Sequence, residues 1–206
     1  MIDMILAASN GSITKIEQTE FVKKRDKRLW LEMESSQLTY FFIDILVENF
    51  VNAKFILTIR DCYSWLDSLI NHQLSLPVSQ NWLKLRNFRF KADEFKHTKE
   101  EKILAENGLY TLDGYLSYWT THNKNVLATV PENRLLIIRT HEITQNISRI
   151  AEFLGIHTKY LDVSKSHSFK SKKNYGLLSR IDRKFLKEKV DTHCKEIMDK
   201  YFPDIK

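Results

Sequence analysis

Cysteine, proline and glycine are scarce in this sequence, with two, three and five occurrences in 206 residues. Cys62 and Cys194 alone do not suggest a disulfide framework, and such sparse use is typical of a reducing compartment. No apolar run approaches the roughly 18 residues that a membrane-spanning helix needs. Residues 1–8 lack the basic lead and the length of a secretory signal peptide. We therefore expect a cytoplasmic protein without a membrane span, folded as a single domain over residues 1–206.

The net charge of +6 is concentrated at one end of the chain. Residues 164–206 carry 12 Lys/Arg against six Asp/Glu, whereas the first 163 residues are neutral overall. A basic end on a neutral body indicates an anionic partner, although a solvated helix surface would look the same. Aromatic and basic residues also interleave at positions 82–90, as in some nucleic-acid-binding proteins. No recognised motif accompanies this charge, so we do not expect nucleic acid as the partner.

Two apolar runs predict buried strands, and each is followed by an arginine. Residues 54–59 precede Arg60, and residues 135–138 precede Arg139. Unbroken Val/Ile/Leu-type runs are typical of parallel strands that are covered on both faces. Ligands bind at the carboxyl ends of such strands, where a guanidinium suits a phosphate. The alternative for Arg60 is an ion pair with Asp61 or another carboxylate.

Helical patterns follow both strands, which predicts an α/β fold with a parallel sheet flanked by helices. Residues 63–74 form an amphipathic helix whose polar face carries Ser64, Asp67, Ser68 and Asn71. A third short strand is predicted at 29–33, and an irregular or helical excursion at 77–108. The other predicted helices are 40–50, 110–129, 143–154 before Gly155, and 177–201.

Several of these stretches together resemble the sulfotransferase family. The run AKFILTIRD with a serine eight residues after its arginine is similar to that family, as is NRLLIIR followed by HEITQNISRIAEFLGI. The C-terminal HCKEIMDKYFP resembles the closing helix of bacterial members, so the resemblance covers about residues 30–206. It implies a sulfotransferase fold of the P-loop-nucleotide-kinase-like type and transfer of a sulfuryl group from 3′-phosphoadenosine 5′-phosphosulfate (PAPS).

The resemblance also implies roles for individual residues. Arg60 and Ser68 occupy the family's 3′-phosphate-binding positions. Residues 169–176 occupy the place of its basic C-terminal loop, but their order departs from the usual Arg-Lys-Gly. Within this loop, Lys172 and Lys173 are the candidates for contact with the cofactor.

A catalytic base is needed as well, because the acceptor must lose a proton. WLEMESSQLTYF is similar to the stretch that supplies a glutamate in the family's carbohydrate-acting branch. Glu34 is the closest match, and Glu32 is its rival because strand alternation would place both on one face. A solvated carboxylate pair is the alternative for both glutamates. Another branch of the family uses a histidine as the base, so His72 and His141 also remain candidates for this role.

One signature of the family is missing from these 206 residues. Nothing before residue 29 matches its phosphosulfate loop of the type Lys-Ser/Thr-Gly-Thr-Thr, and Gly11 is the only glycine there. We interpret residues 9–15 as a turn that leads into a helix. We therefore expect an N-terminally incomplete fold with weak or no activity, or a non-catalytic protein that retains an anion site. The acceptor stays open among carbohydrate, lipid and small-molecule hydroxyls, the oligomeric state is unknown, and no metal is expected.

Overall fold

The computed structural model describes residues 1–162 and 173–205, and within them it contains two strands and ten α-helices. The strands are β1 Phe55–Ile59 and β2 Leu135–Arg139. The helices are α1 Ile2–Ser9, α2 Lys15–Leu29, α3 Ile43–Asn49, α4 Cys62–Ser75, α5 Gln80–Arg89, α6 Lys102–Glu106, α7 Leu112–Thr129, α8 Ile147–Leu154, α9 Arg183–His193 and α10 Lys195–Tyr201. None of these helices is long and apolar enough to cross a bilayer.

The two strands pair in parallel, in a register that runs from Phe55 opposite Leu135 to Ile59 opposite Arg139. The small parallel sheet with surrounding helices confirms the predicted α/β fold. A parallel pair needs a long connection to return the chain to the same edge, and here helices α4 to α7 provide it. Arg60 and Arg139 therefore lie at the same carboxyl edge of the sheet.

Coverage of the sheet is less complete than the apolar runs predict. On one face, Leu57 of β1 packs with Val126 and Val130 of the α7 region. On the other face, α8 packs over Leu136 and Ile138 of β2. Ile56 of β1 joins that cluster, whereas Thr58, which pairs with Ile138, is exposed. The prediction that β1 is buried on both faces is wrong near its carboxyl end.

Helix α7 lies at the centre of the main hydrophobic cluster and contributes the fully buried Leu112, Tyr115 and Leu116. Close packing is visible at Gly114, where a Cβ atom would lie 2.3 Å from the Phe90 carbonyl oxygen. No side chain larger than a hydrogen therefore fits without moving the end of α5.

Helix α9 is joined to α7 by a partly buried ionic cluster. The Asp113 carboxylate accepts hydrogen bonds from Nζ of Lys189 at 2.6 Å and from Nε2 of His193 at 2.7 Å. Burial opposes ionisation of Asp113, but these two bonds outweigh it and lower the pKa of its carboxyl.

The single helix predicted at 177–201 is wrong. Residues 178–180 form a short 3-10 turn, and the Asp182 carboxylate caps α9 by accepting from the Phe185 amide. Helix α9 ends at His193, and α10 begins at Lys195, directly after Cys194. The 3-10 turn, α9 and α10 all pack on the same hydrophobic cluster. Their apolar residues therefore follow one helical pattern in the sequence, although the backbone is broken twice.

The strand predicted at 29–33 is also absent. Helix α2 continues to Leu29, and Trp30 follows in a left-handed conformation with φ 50°. Trp30 and Leu31 are 87% and 51% exposed, so the apolar side chains that suggested a strand have no surface to pack against.

The segment around Gly11 forms a turn that leads into α2, as predicted. Thr14 Oγ1 accepts from the Glu17 amide, and the Glu17 carboxylate accepts from the Thr14 amide at 2.7 Å. The start of this helix is thus capped by its own carboxylate, which disfavours a phosphate there.

Candidate functional site

Arg60 follows β1 directly and lies, half-buried, at the start of α4. Its Nε donates to Oγ of Ser64 at 2.8 Å. The Asp61 carboxylate instead caps α4 by accepting from the amide and the hydroxyl of Ser64. Among the described residues Arg60 forms no ion pair, so the alternative of a salt bridge with Asp61 is wrong. The two terminal nitrogens of Arg60 make no hydrogen bond within that part of the chain and can donate to an anion.

The polar face predicted for α4 is present and extends away from Arg60. Ser64, Ser68 and Asn71 are spaced by four and three residues, which places their side chains on one face. Ser64 is fixed by Arg60 and Asp61, whereas the Ser68 hydroxyl makes no hydrogen bond within the described part of the chain. Arg60 therefore lies at the start of α4, and Ser68 lies further along the polar face of the same helix.

The end of the basic C-terminal segment is bound to the same face of α4. Oδ1 of the buried Asn71 accepts from the Tyr175 amide at 2.8 Å, and its Nδ2 lies 3.4 Å from Oδ1 of Asn174. Lys173 immediately precedes Asn174 in the chain and is exposed. Lys172 lies outside the described residues.

Cys62 lies two residues after Arg60 and is fully buried. A hydrogen bond with the thiol of Cys194 and the burial of the site raise the pKa of Cys62 far above its ordinary value. Cys62 therefore stays a thiol and is not a nucleophile for the neighbouring site.

The two glutamates predicted as bases lie on the irregular backbone of residues 30–38. Glu34 pairs with Arg25 of α2, whose Nη2 donates to its Oε1 at 2.5 Å. Glu32 is exposed. Because this stretch is not a strand, the argument that alternation places both glutamates on one face does not hold. No hydrogen bond or ion pair in the described part of the chain links either one to Arg60 or Ser68.

The two histidines that sequence analysis left open occupy different surroundings. His72 of α4 lines a cavity between α4 and α5. His141 is exposed after β2, 3.7 Å from the Glu142 carboxylate. No group of three or more His, Cys, Asp or Glu side chains among residues 1–162 and 173–205 is arranged to hold a metal ion.

The cavity that His72 lines is also lined by Arg86, Arg89 and Gln73, three residues for which the sequence predicts no role. They come from two separate helices, so no local motif brings them together. A signal that did exist was the density of Lys/Arg and aromatics at positions 82–90, a pattern that some nucleic-acid-binding proteins share.

Comparison with known families assigns the class of protein. A family model described as the sulfotransferase domain matches residues 31–173, which include β1, α4, the α4–α5 cavity and β2. The chain belongs to the sulfotransferase family. The match starts where the resemblance was expected to start and ends before α9 and α10. A search of the curated proteins gave no significant match, and neither did a search of the solved structures.

Proposed function

We propose that this protein binds PAPS and transfers its sulfuryl group to a hydroxyl or amine acceptor. The observation that carries the proposal is the geometry of Arg60. Its guanidinium is held by Ser64 at the carboxyl edge of the sheet, has no carboxylate partner among the described residues, and lies in the part of the chain that matches the family.

Arg60, Ser68, Lys172 and Lys173 are proposed to hold the 3′-phosphate of the nucleotide. A guanidinium can give two parallel N–H donors to one phosphate, and the serine hydroxyl adds a third from the next turns of α4. The attachment of Tyr175 to Asn71 supports the participation of the basic segment, since it fixes the end of that segment beside Ser68.

In the transfer step, the acceptor oxygen or nitrogen forms a bond to sulfur as the bond from sulfur to the bridging phosphate oxygen breaks. The electron pair of the broken bond leaves with adenosine 3′,5′-bisphosphate, and the acceptor proton passes to a base. We propose Glu34 as this base, with Glu32 as its rival. Glu34 would have to loosen its ion pair with Arg25 to accept the proton, because that guanidinium occupies both carboxylate oxygens.

Turnover by these 206 residues is proposed to be weak. No Lys-Ser/Thr-Gly-Thr-Thr sequence occurs in them, and the segment around Gly11 ends in a helix capped by Glu17. A backbone cradle and a lysine would normally stabilise the charge that develops on the leaving phosphate. The second candidate function, favoured by the same observation, is binding of the nucleotide without transfer.

Two measurements distinguish these functions. Calorimetry with adenosine 3′,5′-bisphosphate tests nucleotide binding, and product formation from PAPS with a panel of hydroxyl and amine acceptors tests transfer. We expect binding together with slow turnover. Glu34→Gln should then reduce turnover by roughly 10²–10⁴-fold while Glu32→Gln has little effect, since loss of a general base typically costs that much.

Binding with no product from any acceptor would favour the non-catalytic candidate. Absence of nucleotide binding would contradict both functions, and rapid turnover would contradict the proposal that activity is weak.

A further inference from the structure

Helices α4 and α5 enclose a cavity of about 210 Å³ next to the segment that carries Glu34. Its walls are partly apolar, with Leu69, Leu76 and Trp82 among the lining residues. The volume is below the roughly 300–1,000 Å³ of pockets for drug-sized ligands, so it suits one ring or a smaller fragment.

The charged groups of the cavity are all of one sign. These groups are Arg86 and Arg89, and no Asp or Glu is among the lining residues. Neither arginine forms an ion pair with any residue in 1–162 or 173–205. The guanidinium of Arg89 contacts aromatic rings, with its central carbon 4.3 Å from the centre of the Tyr118 ring. A buried charge without an opposite charge is costly, and an anionic ligand would offset that cost.

Two buried donors in this region are also without partners among the described residues. Gln73 is only 9% exposed, and its Oε1 accepts from the Tyr115 hydroxyl at 2.7 Å, while its Nε2 bonds to no described residue. Nε of Arg89 is likewise buried and bonds to no described residue, although Nη1 of Arg89 donates to Oε1 of Gln37 at 2.7 Å. The unused groups are donors, so the complementary ligand group is an acceptor of hydrogen bonds.

We infer that this cavity binds an oxyanion, in the first place a carboxylate, on a small acceptor whose hydroxyl is sulfated. The inference rests on the proposed transfer function and adds the chemical class of the acceptor. Gln37, which accepts from Arg89 in the cavity wall, belongs to the same segment as Glu34, and α4 runs from Arg60 to the lining residues Leu69 and Gln73. The cavity thus shares one chain segment with the proposed base and one helix with the proposed nucleotide site.

The test uses two probes of nearly equal shape, 4-hydroxybenzoate and the neutral 4-hydroxybenzamide, titrated into the full chain. We expect tighter binding of the benzoate. Arg86→Gln should weaken benzoate binding roughly tenfold and leave benzamide binding nearly unchanged, as expected for one charge-assisted hydrogen bond. Arg183→Gln removes an exposed arginine at the start of α9 and serves as the matched control. Arg86 is the primary site because its guanidinium makes no hydrogen bond or ion pair within the described part of the chain, whereas Arg89 also donates to Gln37 and packs on Tyr118. Thermal unfolding verifies that each variant is folded.

Equal affinity for the two probes, no detectable benzoate binding, or the same loss in Arg86→Gln and Arg183→Gln would overturn the inference. Adenosine 3′,5′-bisphosphate is titrated into the same preparations. If benzoate binding depends on Arg86 while the nucleotide does not bind, the cavity remains an oxyanion site and the proposed transferase function fails instead.

Discussion

The stability of the protein should fall on mild acidification because of one histidine. His122 of α7 packs against Tyr40 with ring centres 4.2 Å apart, and its Nδ1 is buried without a partner among the described residues. Burial, reinforced by the nearby charge of Arg89, lowers the pKa of His122 from 6.5 to about 4. The imidazole is therefore neutral in the folded protein and protonates more readily in the unfolded chain.

The sign and size of the effect follow from that difference. Between pH 6.5 and 4 the unfolded chain binds a proton that the folded protein does not bind, so stability decreases as the pH falls through this window. At pH 5 the loss attributable to His122 is about 2 kcal/mol relative to neutral pH, and below pH 4 it levels off near about 3 kcal/mol.

The perturbation is His122→Phe, which keeps an aromatic ring against Tyr40 and removes the titrating group. Urea unfolding at pH 7.5, 6 and 5, followed by tryptophan fluorescence, gives the free energy of unfolding for each protein. We expect the variant to lose about 2 kcal/mol less than the natural sequence between pH 7.5 and 5. His141→Phe, at an exposed histidine, should behave like the natural sequence. Identical pH slopes for the natural sequence and His122→Phe would refute the reasoning.

Three further predictions concern stability. Gly114→Ala should destabilise by about 1–3 kcal/mol in urea unfolding, because its Cβ would collide with the Phe90 carbonyl; an increase in stability, as helix propensity alone predicts, would contradict this. Arg134→Ala should lower the free energy of unfolding by about 3 kcal/mol, because the Arg134 guanidinium donates to three backbone carbonyls at the end of α3 and before β1. An unchanged free energy of unfolding would show that those bonds are unimportant. Asp113→Asn should be less stable than the natural sequence at pH 7. The difference in the free energy of unfolding should shrink below about pH 3.8, because the lowered pKa of Asp113 contributes stability that is lost as the carboxyl protonates. A difference that stays constant from pH 7 to 3 would count against this reasoning.

The parts of the fold that could be predicted from the sequence are those governed by local patterns. The apolar runs before Arg60 and Arg139 form β1 and β2, and the helix predicted at 110–129 is α7, which begins at Leu112. Gly155 ends α8 in the left-handed conformation that the pattern requires. The strand predicted at 29–33 is absent because apolar residues form a buried strand only where another surface covers them, and no such surface covers Trp30.

The candidate site, too, could be predicted only where local sequence determines it. The spacing of Arg60 and Ser68 was predictable because a strand end and the following helix fix it locally. The pairing of Glu34 with Arg25 was not, since it depends on how α2 packs beside an irregular segment. The cavity was missed because Gln37, Gln73 and Arg89 are far apart in the chain and meet only through the packing of α5.

The most direct test of the central claim is whether Arg60 recognises the 3′-phosphate. Affinities for adenosine 3′,5′-bisphosphate and adenosine 5′-monophosphate are measured for the natural sequence, Arg60→Gln and the control Arg183→Gln. The account predicts that the natural sequence and the control prefer the bisphosphate by roughly 10–100-fold, the value of one or two charge-assisted bonds. Arg60→Gln should lose most of this preference and keep its affinity for the monophosphate. Equal affinity of the natural sequence for both nucleotides, or an unchanged preference in Arg60→Gln, would contradict it.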